Sequence, residues 1–193
     1  LLRVLGAMRN VDGLLATIPH KFAMAEFVTT ISPRARTLGS VNIVRRIGTE
    51  AWHGDMLDGV SLVATIRSNG YVLEGRQALL IGAGGAGSAV GLELLDAGVA
   101  GLAVHDVDRG RRERLIDKLV AAHPGKVRAG SEDPTGADVV VNCTPSGMAA
   151  GDAPPVRLER LDQRMLVDKK LIEARKALEA CDLAYRALEQ DRH

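Results

Sequence analysis

The sequence lacks the features with which proteins usually bind nucleic acids or membranes. Aromatic residues make up only 3% of its 193 positions, and its formal net charge is +1. A net charge so close to zero gives no argument for binding to nucleic acid or to an anionic membrane, and the scarcity of aromatic residues argues against base-stacking surfaces. No apolar run approaches the roughly 20 residues of a membrane-spanning helix, and no secretory signal peptide is recognisable. We therefore expect no nucleic-acid partner and no membrane partner.

Cysteine is also scarce, with two residues in the whole chain. Cys143 and Cys181 lack the spacing of a metal site or a redox motif, which favours a reducing compartment. We expect a cytoplasmic protein without a bound metal ion, in which both thiols fill space in the core. The remaining composition, 46% apolar and 25% charged, is typical of a globular protein.

A glycine-rich turn stands at the centre of the sequence. Residues 78–81 are an apolar run that predicts a buried strand, and residues 88–95 have helical spacing. Glycines in a G-x-G-x-x-G turn allow a tight bend and close approach to a pyrophosphate, and the following helix offers its N–H groups to the phosphates. The alternative is an ordinary tight turn. The residues predicted to bind a dinucleotide are Gly82, Ala83, Gly84, Gly85, Ala86 and Gly87.

Strand-like and helix-like segments alternate from about residue 75 onwards. This alternation predicts βαβ units and a parallel sheet, and therefore an α/β fold. The predicted strands are 77–81, 101–105, 126–129, 137–142 and 164–168. The predicted helices are 86–96, 109–122 and 170–190.

The first 70 residues are less regular. We predict helices at 1–14, 22–27 and 60–69, and short strands at 14–18 and 39–45. Residues 31–38 are interpreted as a polar connector, and residues 52–59 as a turn rich in Gly and Asp.

The second predicted strand of the parallel sheet ends in Asp106. A carboxylate at this position accepts hydrogen bonds from the adenosine ribose and repels a 2′-phosphate, and Asp108 would add to the repulsion. Arg109, Arg111 and Arg112 could instead hold a 2′-phosphate, or form the solvated face of the next helix. We predict that NAD is favoured and that NADP can be used.

Three polar side chains stand where strands or connectors give way to helices upstream of the glycine turn. They are Lys21, Asn42 and Asp58. A lysine held near a substrate hydroxyl can carry its proton during hydride transfer, and a carboxylate can hold the ammonium group in place. The alternative is an exposed lysine beside ordinary turn residues.

Five motifs resemble the shikimate dehydrogenase family in their order and spacing. They are Thr-Ile-Pro-His-Lys at 17–21, Gly-Ser-Val-Asn at 39–42, Gly-Asp-x-x-Asp-Gly at 54–59, Gly-Ala-Gly-Gly-Ala at 82–86 and Val-Asn-Cys-Thr-Pro-Ser-Gly-Met at 141–148. The resemblance covers about residues 1–168. It implies reversible reduction of 3-dehydroshikimate to shikimate with NADPH, or with NAD(H) in quinate/shikimate-type members.

The resemblance also implies roles for individual residues. Lys21 and Asp58 would be the catalytic pair, with Lys21 carrying the hydroxyl proton and Asp58 orienting Lys21. Thr17 and Asn42 would contact the substrate. The residues that would border the nicotinamide are Thr144, Ser146 and Met148.

The family's fold is a substrate domain joined to a Rossmann domain, with the active site in the cleft between them. We therefore predict a substrate-binding domain at 1–66, a Rossmann domain at 67–168, and a C-terminal helix at 169–193 that packs back on the first domain. The family's N-terminal strand, the segment that should follow Asp168, and a late substrate-binding glutamine are absent from this sequence. Part of the substrate-binding domain is therefore expected to be missing.

Other functions remain open at this point. The motif Gly-Asp-Met-Leu-Asp at 54–58 differs from the commoner Gly-Asp-Asn-Thr-Asp of the family. A quinate or aminoshikimate dehydrogenase would use the same residues, and a non-catalytic nucleotide-binding regulatory protein would keep the fold. The resemblance is compatible with a homodimer, since the family contains monomers and dimers.

Overall fold

The computed structural model describes residues 4, 7–8, 10–17, 19–146, 152–162 and 165–167, which form an α/β structure with two sheets. The strands are β1 (Gly13–Leu15), β2 (Thr30–Ile31), β3 (Ile43–Ile47), β4 (Ala51–Asp55), β5 (Gln77–Ile81), β6 (Gly101–His105), β7 (Val127–Ala129), β8 (Val139–Asn142) and β9 (Leu166–Val167). The helices are α1 (Lys21–Phe27), α2 (Pro33–Leu38), α3 (Asp58–Ser68), α4 (Gly85–Asp96) and α5 (Arg109–Ala122), with a 3-10 turn at Leu158–Arg160.

The five strands β5 to β9 form a parallel sheet in the order β7-β6-β5-β8-β9. α4 connects β5 to β6 and α5 connects β6 to β7, which are two βαβ units. The strand order reverses between β5 and β8, and open α/β sheets bind ligands at the carboxyl edge of such a reversal. The predicted α/β fold with a parallel sheet is confirmed, and the glycine turn lies at this edge.

The strands β1 to β4 form a second, mixed sheet in the order β1-β3-β4-β2. β3 is antiparallel to β1 and β4, whereas β2 is parallel to β4. Trp52 of β4 is buried, with its ring centroid 6.0 Å from that of Phe27 and the Arg46 guanidinium 4.2 Å above it. This packing holds α1, and with it Lys21, against the sheet.

The parallel sheet is buried on both faces, as the alternation along β5 demonstrates. Leu80 belongs to the main core under α4 and α5, whereas Leu79 and Ile81 pack on the opposite face with Val156 and Leu161. Strands buried on both faces read as continuous apolar runs, which is why the sequence identified β5. The main core continues without a break into the mixed sheet.

Helices α3 and α4 join the two sheets and approach each other closely at Gly59. A Cβ atom at Gly59 would lie 2.2 Å from the carbonyl oxygen of Ala89 in α4. Only glycine fits at this separation, because real Cβ atoms do not come so near to a carbonyl oxygen. The contact places Asp58, the first residue of α3, beside the helix that follows the glycine turn.

Two segments upstream differ from the sequence predictions. Residues 31–38 contain helix α2 rather than a polar connector, because Ser32 caps Ala35 N–H and Pro33 occupies the first turn. Residues 51–55 form strand β4 rather than a turn, since pairing with β3 satisfies their backbone groups. The third strand begins at Ile43 instead of residue 39.

The N-terminal helix predicted at 1–14 does not extend that far, because Gly13–Leu15 pairs with β3 as a strand. The helix predicted at 170–190, and its packing on the first domain, lie outside the described residues. Within the residues that are described, no helix is both long and apolar enough to cross a membrane.

Candidate active site

Lys21 and Asp58 form an ion pair at the junction between the two sheets. Lys21 is the first residue of α1 and is 8% exposed, and its Nζ donates a hydrogen bond to Asp58 Oδ2. Side-chain exposure is 10% for Lys21 and 26% for Asp58. The amine is therefore shielded from water, which strengthens its interaction with a neighbouring carboxylate.

Asn42 completes a short hydrogen-bonded chain with this pair. Its Nδ2 donates to Asp58 Oδ1, and its Oδ1 accepts the N–H of Leu57 at 2.9 Å. Asp58 thus receives one hydrogen bond on each carboxylate oxygen, from Lys21 and from Asn42. Two backbone hydrogen bonds bring the segments together, from Val41 N to Lys21 O at 2.9 Å and from Ala16 N to Asn42 O at 2.7 Å.

Thr17 lies in the same region but outside this hydrogen-bonded chain. Its side chain is exposed, and its carbonyl accepts the N–H of His20 at 2.8 Å. The structure therefore brings together three of the four residues predicted for catalysis and substrate binding, with Thr17 on the adjoining segment.

The glycine turn connects β5 to α4 and lies next to Lys21. Gly82 has φ of +98°, a left-handed conformation that favours glycine. A Cβ at Gly87 would lie 1.8 Å from Gly82 O, so the helix can pack on the strand only with glycine there. A Cβ at Gly85 would lie 3.3 Å from Lys21 Cδ, which shows how closely the lysine stem approaches the turn.

The middle of the turn, at Gly84, Gly85 and Ala86, is partly exposed, whereas Gly82, Ala83 and Gly87 are buried. A Cβ at Gly84 would meet no atom within 4 Å, and no side chain from the described residues caps the N-terminus of α4. A phosphate could approach the first N–H groups of α4 at this position. The residues of the turn itself, from Gly82 to Gly87, therefore fit the pyrophosphate of a dinucleotide.

Asp106 lies at the end of β6, as predicted, but its carboxylate faces the protein. It accepts hydrogen bonds from Ala83 N and Asp108 N, both at 2.8 Å, and the residue is only 7% exposed. Arg111 Nη1 lies 3.8 Å from the same carboxylate. Asp106 therefore stabilises the glycine turn. A ribose hydroxyl would have to share the carboxylate with these two backbone N–H groups.

A cleft of about 510 Å³ opens beside the turn. Gly84 and Gly85 form part of its wall, and three basic side chains of α5 line it, namely Arg111, Arg114 and Lys118. The cleft thus combines open backbone with positive charge, which suits an anionic ligand. No group of three His, Cys, Asp or Glu side chains suited to a metal ion occurs in the described part of the chain.

The loop after β8 is ordered by Asn142. Its Oδ1 accepts hydrogen bonds from Thr144 N at 2.9 Å and Thr144 Oγ1 at 2.6 Å, and its Nδ2 donates to Ser146 O at 3.1 Å. Thr144 also lies against the glycine turn, since a Cβ at Gly82 would be 2.9 Å from Thr144 Cγ2. Met148, the third residue predicted here, lies outside the described residues.

An arginine that the sequence analysis did not single out contacts Asp55, at the end of β4. Arg34 donates to both oxygens of Asp55 at 2.8 Å, and Asp55 also accepts Ser32 Oγ at 2.5 Å and Met56 N at 2.7 Å. Burial opposes ionisation of Asp55, but these hydrogen bonds outweigh it and lower its pKa to about 2. The Ser-Pro helix start at 32–33 is the signal that could have located Arg34.

The curated proteins to which this chain is similar include several shikimate dehydrogenases. A shikimate dehydrogenase (NADP(+)) of Stenotrophomonas maltophilia is 44% identical over 115 residues, 59% of this chain and 40% of the relative. A shikimate dehydrogenase (NADP(+)) of Symbiobacterium thermophilum is 39% identical over 157 residues, 76% of this chain and 51% of the relative. The chain spans about half the length of the curated relatives it matches. No model of a known protein family matches it.

Solved structures are similar over more of the chain. Quinate dehydrogenase from Corynebacterium glutamicum in complex with NAD gives a TM-score of 0.79 at 28% identity, covering 92% of this chain and 69% of that one. Shikimate 5-dehydrogenase from Thermus thermophilus in complex with NADP(H) and shikimate gives 0.74 at 26% identity, covering 86% and 60%.

Proposed function

Because the chain belongs to the shikimate dehydrogenase family, we propose that it is an oxidoreductase that transfers hydride between a nicotinamide cofactor and shikimate. The reverse reaction reduces 3-dehydroshikimate. The observation that carries this proposal is the placement of the Lys21–Asp58–Asn42 hydrogen-bonded chain directly beside the glycine turn.

The three residues divide the work on the substrate. The nicotinamide, when bound, takes up or gives the hydride. When the alcohol is oxidised, Lys21 Nζ as the free amine takes the proton from the hydroxyl on the carbon that loses the hydride, and becomes the ammonium group. When the ketone is reduced, Lys21 returns this proton to the oxygen. Asp58 holds the ammonium group and accepts a hydrogen bond from an adjacent substrate hydroxyl. Asn42 keeps Asp58 in place and contributes its amide to substrate binding. Thr17 contributes its hydroxyl from the adjoining segment.

The cofactor would lie along the carboxyl edge of the parallel sheet. The turn Gly82–Gly87 and the N-terminus of α4 would hold the pyrophosphate. Thr144 and Ser146 would border the nicotinamide, because Thr144 lies against the turn and Asn142 fixes the loop. Residues 1–66 would then supply the substrate side of the site, and residues 67–168 the cofactor side. We place the enzyme in the cytoplasm, in keeping with the spacing of its cysteines.

The preference for NAD predicted from Asp106 is not supported, because the curated relatives are named for NADP(+). We propose that NADP is preferred. The carboxylate of Asp106 is occupied by two backbone N–H groups and faces Arg111, so less of its charge is available to repel a 2′-phosphate. Asp106→Asn should therefore change the ratio of NADP to NAD efficiency less than Arg111→Met does. A larger effect of Asp106→Asn on this ratio would mean that the Asp106 carboxylate does repel a 2′-phosphate, as the sequence analysis predicted.

Quinate is the second candidate substrate, since the quinate dehydrogenase structure with NAD is among the most similar folds. Nicotinamide absorbance should be followed with shikimate or quinate and with NAD or NADP, in all four pairings. We expect the shikimate–NADP pair to react fastest. Binding of NADPH without turnover in any of the four pairings would favour a non-catalytic regulatory protein instead.

Lys21→Ala tests the proposed chemistry most directly. Loss of the positioned acid–base should lower kcat by at least ~10²-fold, while NADPH binding, measured by its fluorescence, should stay unchanged. Lys126→Ala, which removes an exposed lysine between α5 and β7, is the matched control. Near-normal turnover of Lys21→Ala would rule out the assignment.

A further inference from the structure

Arg34 links Asp55, which lies shortly before Asp58 in the chain, to the helix that follows the glycine turn. Its Nε and Nη2 form a bidentate pair with Asp55, and its Nη1 lies 3.8 Å from Glu93 Oε1 in α4. All three guanidinium nitrogens are thus directed at carboxylates. Lysine could not reproduce this, because a point charge lacks the planar fork.

On one side, Arg34 reaches Asp58 through a short stretch of backbone. Asp55 is the last residue of β4 and Asp58 is the first residue of α3. The Oδ1 atom of Asp55 accepts a hydrogen bond from Met56 N at 2.7 Å. The carbonyl of Asp55 also accepts Asn42 N at 3.0 Å. Because Asn42 bonds both Leu57 N and the Asp58 carboxylate, fixing Asp55 fixes the whole turn that presents Asp58.

On the other side, Arg34 reaches the cofactor helix. Glu93 lies in α4, and its Cγ is 2.7 Å from where a Cβ at Gly59 would be. Glu93 therefore contacts the residue that follows Asp58 as well as Arg34. The side chains of Arg34 and Glu93 are 34% and 17% exposed, so water screens this contact less than a surface pair.

We propose that Arg34 is a positioning residue that sets Asp58 and Lys21 against the cofactor turn, by holding Asp55 with one edge of its guanidinium and Glu93 with the other. The proposal rests on the function proposed above. It predicts that loss of Arg34 damages the geometry of the hydride-transfer step and leaves cofactor binding intact, because Arg34 is not among the described residues that line the cleft at the glycine turn.

Two variants and one control separate positioning from folding. Arg34→Met removes both contacts, and Glu93→Gln weakens only the contact with α4. Arg67→Met removes an ion pair of similar length, 2.7 Å to Glu74, on half-exposed side chains away from Lys21. With shikimate deuterated at the reacting carbon, Arg34→Met should lower kcat by about tenfold or more, since small misplacement of reacting groups is costly. The isotope effect on kcat should rise, and KM and NADPH affinity should stay near wild type.

A readout without turnover keeps the proposal independent of the substrate. Acylation of Lys21 relative to Lys126, followed by mass spectrometry, should rise about fivefold in Arg34→Met as the ion pair with Asp58 loosens. Glu93→Gln should show a smaller rise, and Arg67→Met none. If shikimate is not oxidised but the ratio of Lys21 to Lys126 acylation rises, the proposed oxidoreductase function is wrong, whereas the positioning of Lys21 by Arg34 is supported. An unchanged ratio in folded Arg34→Met and Glu93→Gln, or an equal rise at Lys126, would overturn the proposal.

Discussion

At the scale of single residues, the two oxygens of Asp58 explain why an aspartate is needed at this position. One oxygen accepts the Lys21 amine and the other accepts the Asn42 amide. A carboxylate held at both oxygens keeps one orientation, so the lysine beside it keeps one position. Sequence spacing could suggest these three residues, but only the backbone bonds between their segments explain why they meet.

Ser40 is a buried residue whose hydroxyl weakens the fold. It is fully buried, and its Oγ has no hydrogen-bond partner among the described residues. An unsatisfied buried hydroxyl costs free energy, so Ser40→Ala should raise the free energy of unfolding by about 1 kcal/mol. Ser32→Ala is the comparison, because it removes both a helix cap and a hydrogen bond to Asp55, and it should lower the same quantity by at least about 1 kcal/mol. Urea unfolding of both variants measures the difference in sign.

The ionised carboxylate of Asp55 should make the free energy of unfolding decrease in acid. Its pKa of about 2 lies below the ordinary value of 3.8. Because the folded state binds this proton less readily than the unfolded chain, ionised Asp55 stabilises the fold above its ordinary pKa. That contribution is lost as the pH falls through the folded pKa. Asp55→Asn should therefore flatten the decline in unfolding free energy between about pH 5 and pH 2.

Asp117→Asn, at an exposed position of α5, is the control for this pH series. Glu93 acts in the opposite direction, since burial raises its pKa against the effect of Arg34. Its contribution is present at low pH and lost as the pH rises through its folded pKa. An acid limb as steep in Asp55→Asn as in wild type would contradict the role given to Asp55.

At the scale of elements, the contact between α3 and α4 sets the spacing of the site. Gly59→Ala places a methyl group 2.2 Å from the Ala89 carbonyl, so the two helices must separate. Such overpacking should destabilise the fold by about 1–3 kcal/mol. Gly110→Ala, at an exposed position of α5, should instead stabilise slightly because alanine favours helix. Thermal unfolding of the two variants in parallel checks this contrast, and equal stabilities would contradict it.

The central strands β5 and β6 of the parallel sheet could be predicted to the residue, whereas β8 and β9 begin two residues later than predicted and the mixed sheet was predicted only in part. β5 and β6 are continuous apolar runs between helices, and their bounds coincide with 77–81 and 101–105. β4 contains Gly54 and Asp55, which are typical of turns, and it is a strand because β3 pairs with it over five residues. Helix α2 is short and polar, so its apolar periodicity is weak and only its cap identifies it.

The candidate site follows the same division. The residues of the glycine turn and the three polar residues upstream could be proposed as site residues from the sequence, because each forms part of a contiguous motif. Arg34 and Glu93 were not identified, since they act across two elements that are far apart in the chain. The buried orientation of Asp106 was also beyond the sequence, because it depends on Ala83 and Asp108 N–H groups pointing inwards.

At the scale of the whole molecule, one apolar core extends through both sheets although two domains were predicted. Buried residues of the mixed sheet, such as Val44 and Trp52, belong to the same cluster as Leu80 and Leu102 of the parallel sheet. A continuous core favours cooperative unfolding. We therefore expect the two parts to unfold together even if they bind different ligands.

Trp52 allows this to be measured, because it is the single tryptophan and lies in the mixed sheet. Its fluorescence should change at the same urea concentration as the far-UV circular dichroism, to which the described helices of both parts contribute. NADPH at about 100 times its Kd should stabilise both signals by about 2.7 kcal/mol, since a ligand of one cooperative unit shifts the whole of it. Quinate or shikimate, added without cofactor, tests whether a ligand of the substrate side stabilises both signals in the same way. Two transitions in the circular dichroism, of which NADPH shifts only the one that Trp52 fluorescence does not follow, would mean that residues 1–66 and 67–168 fold independently.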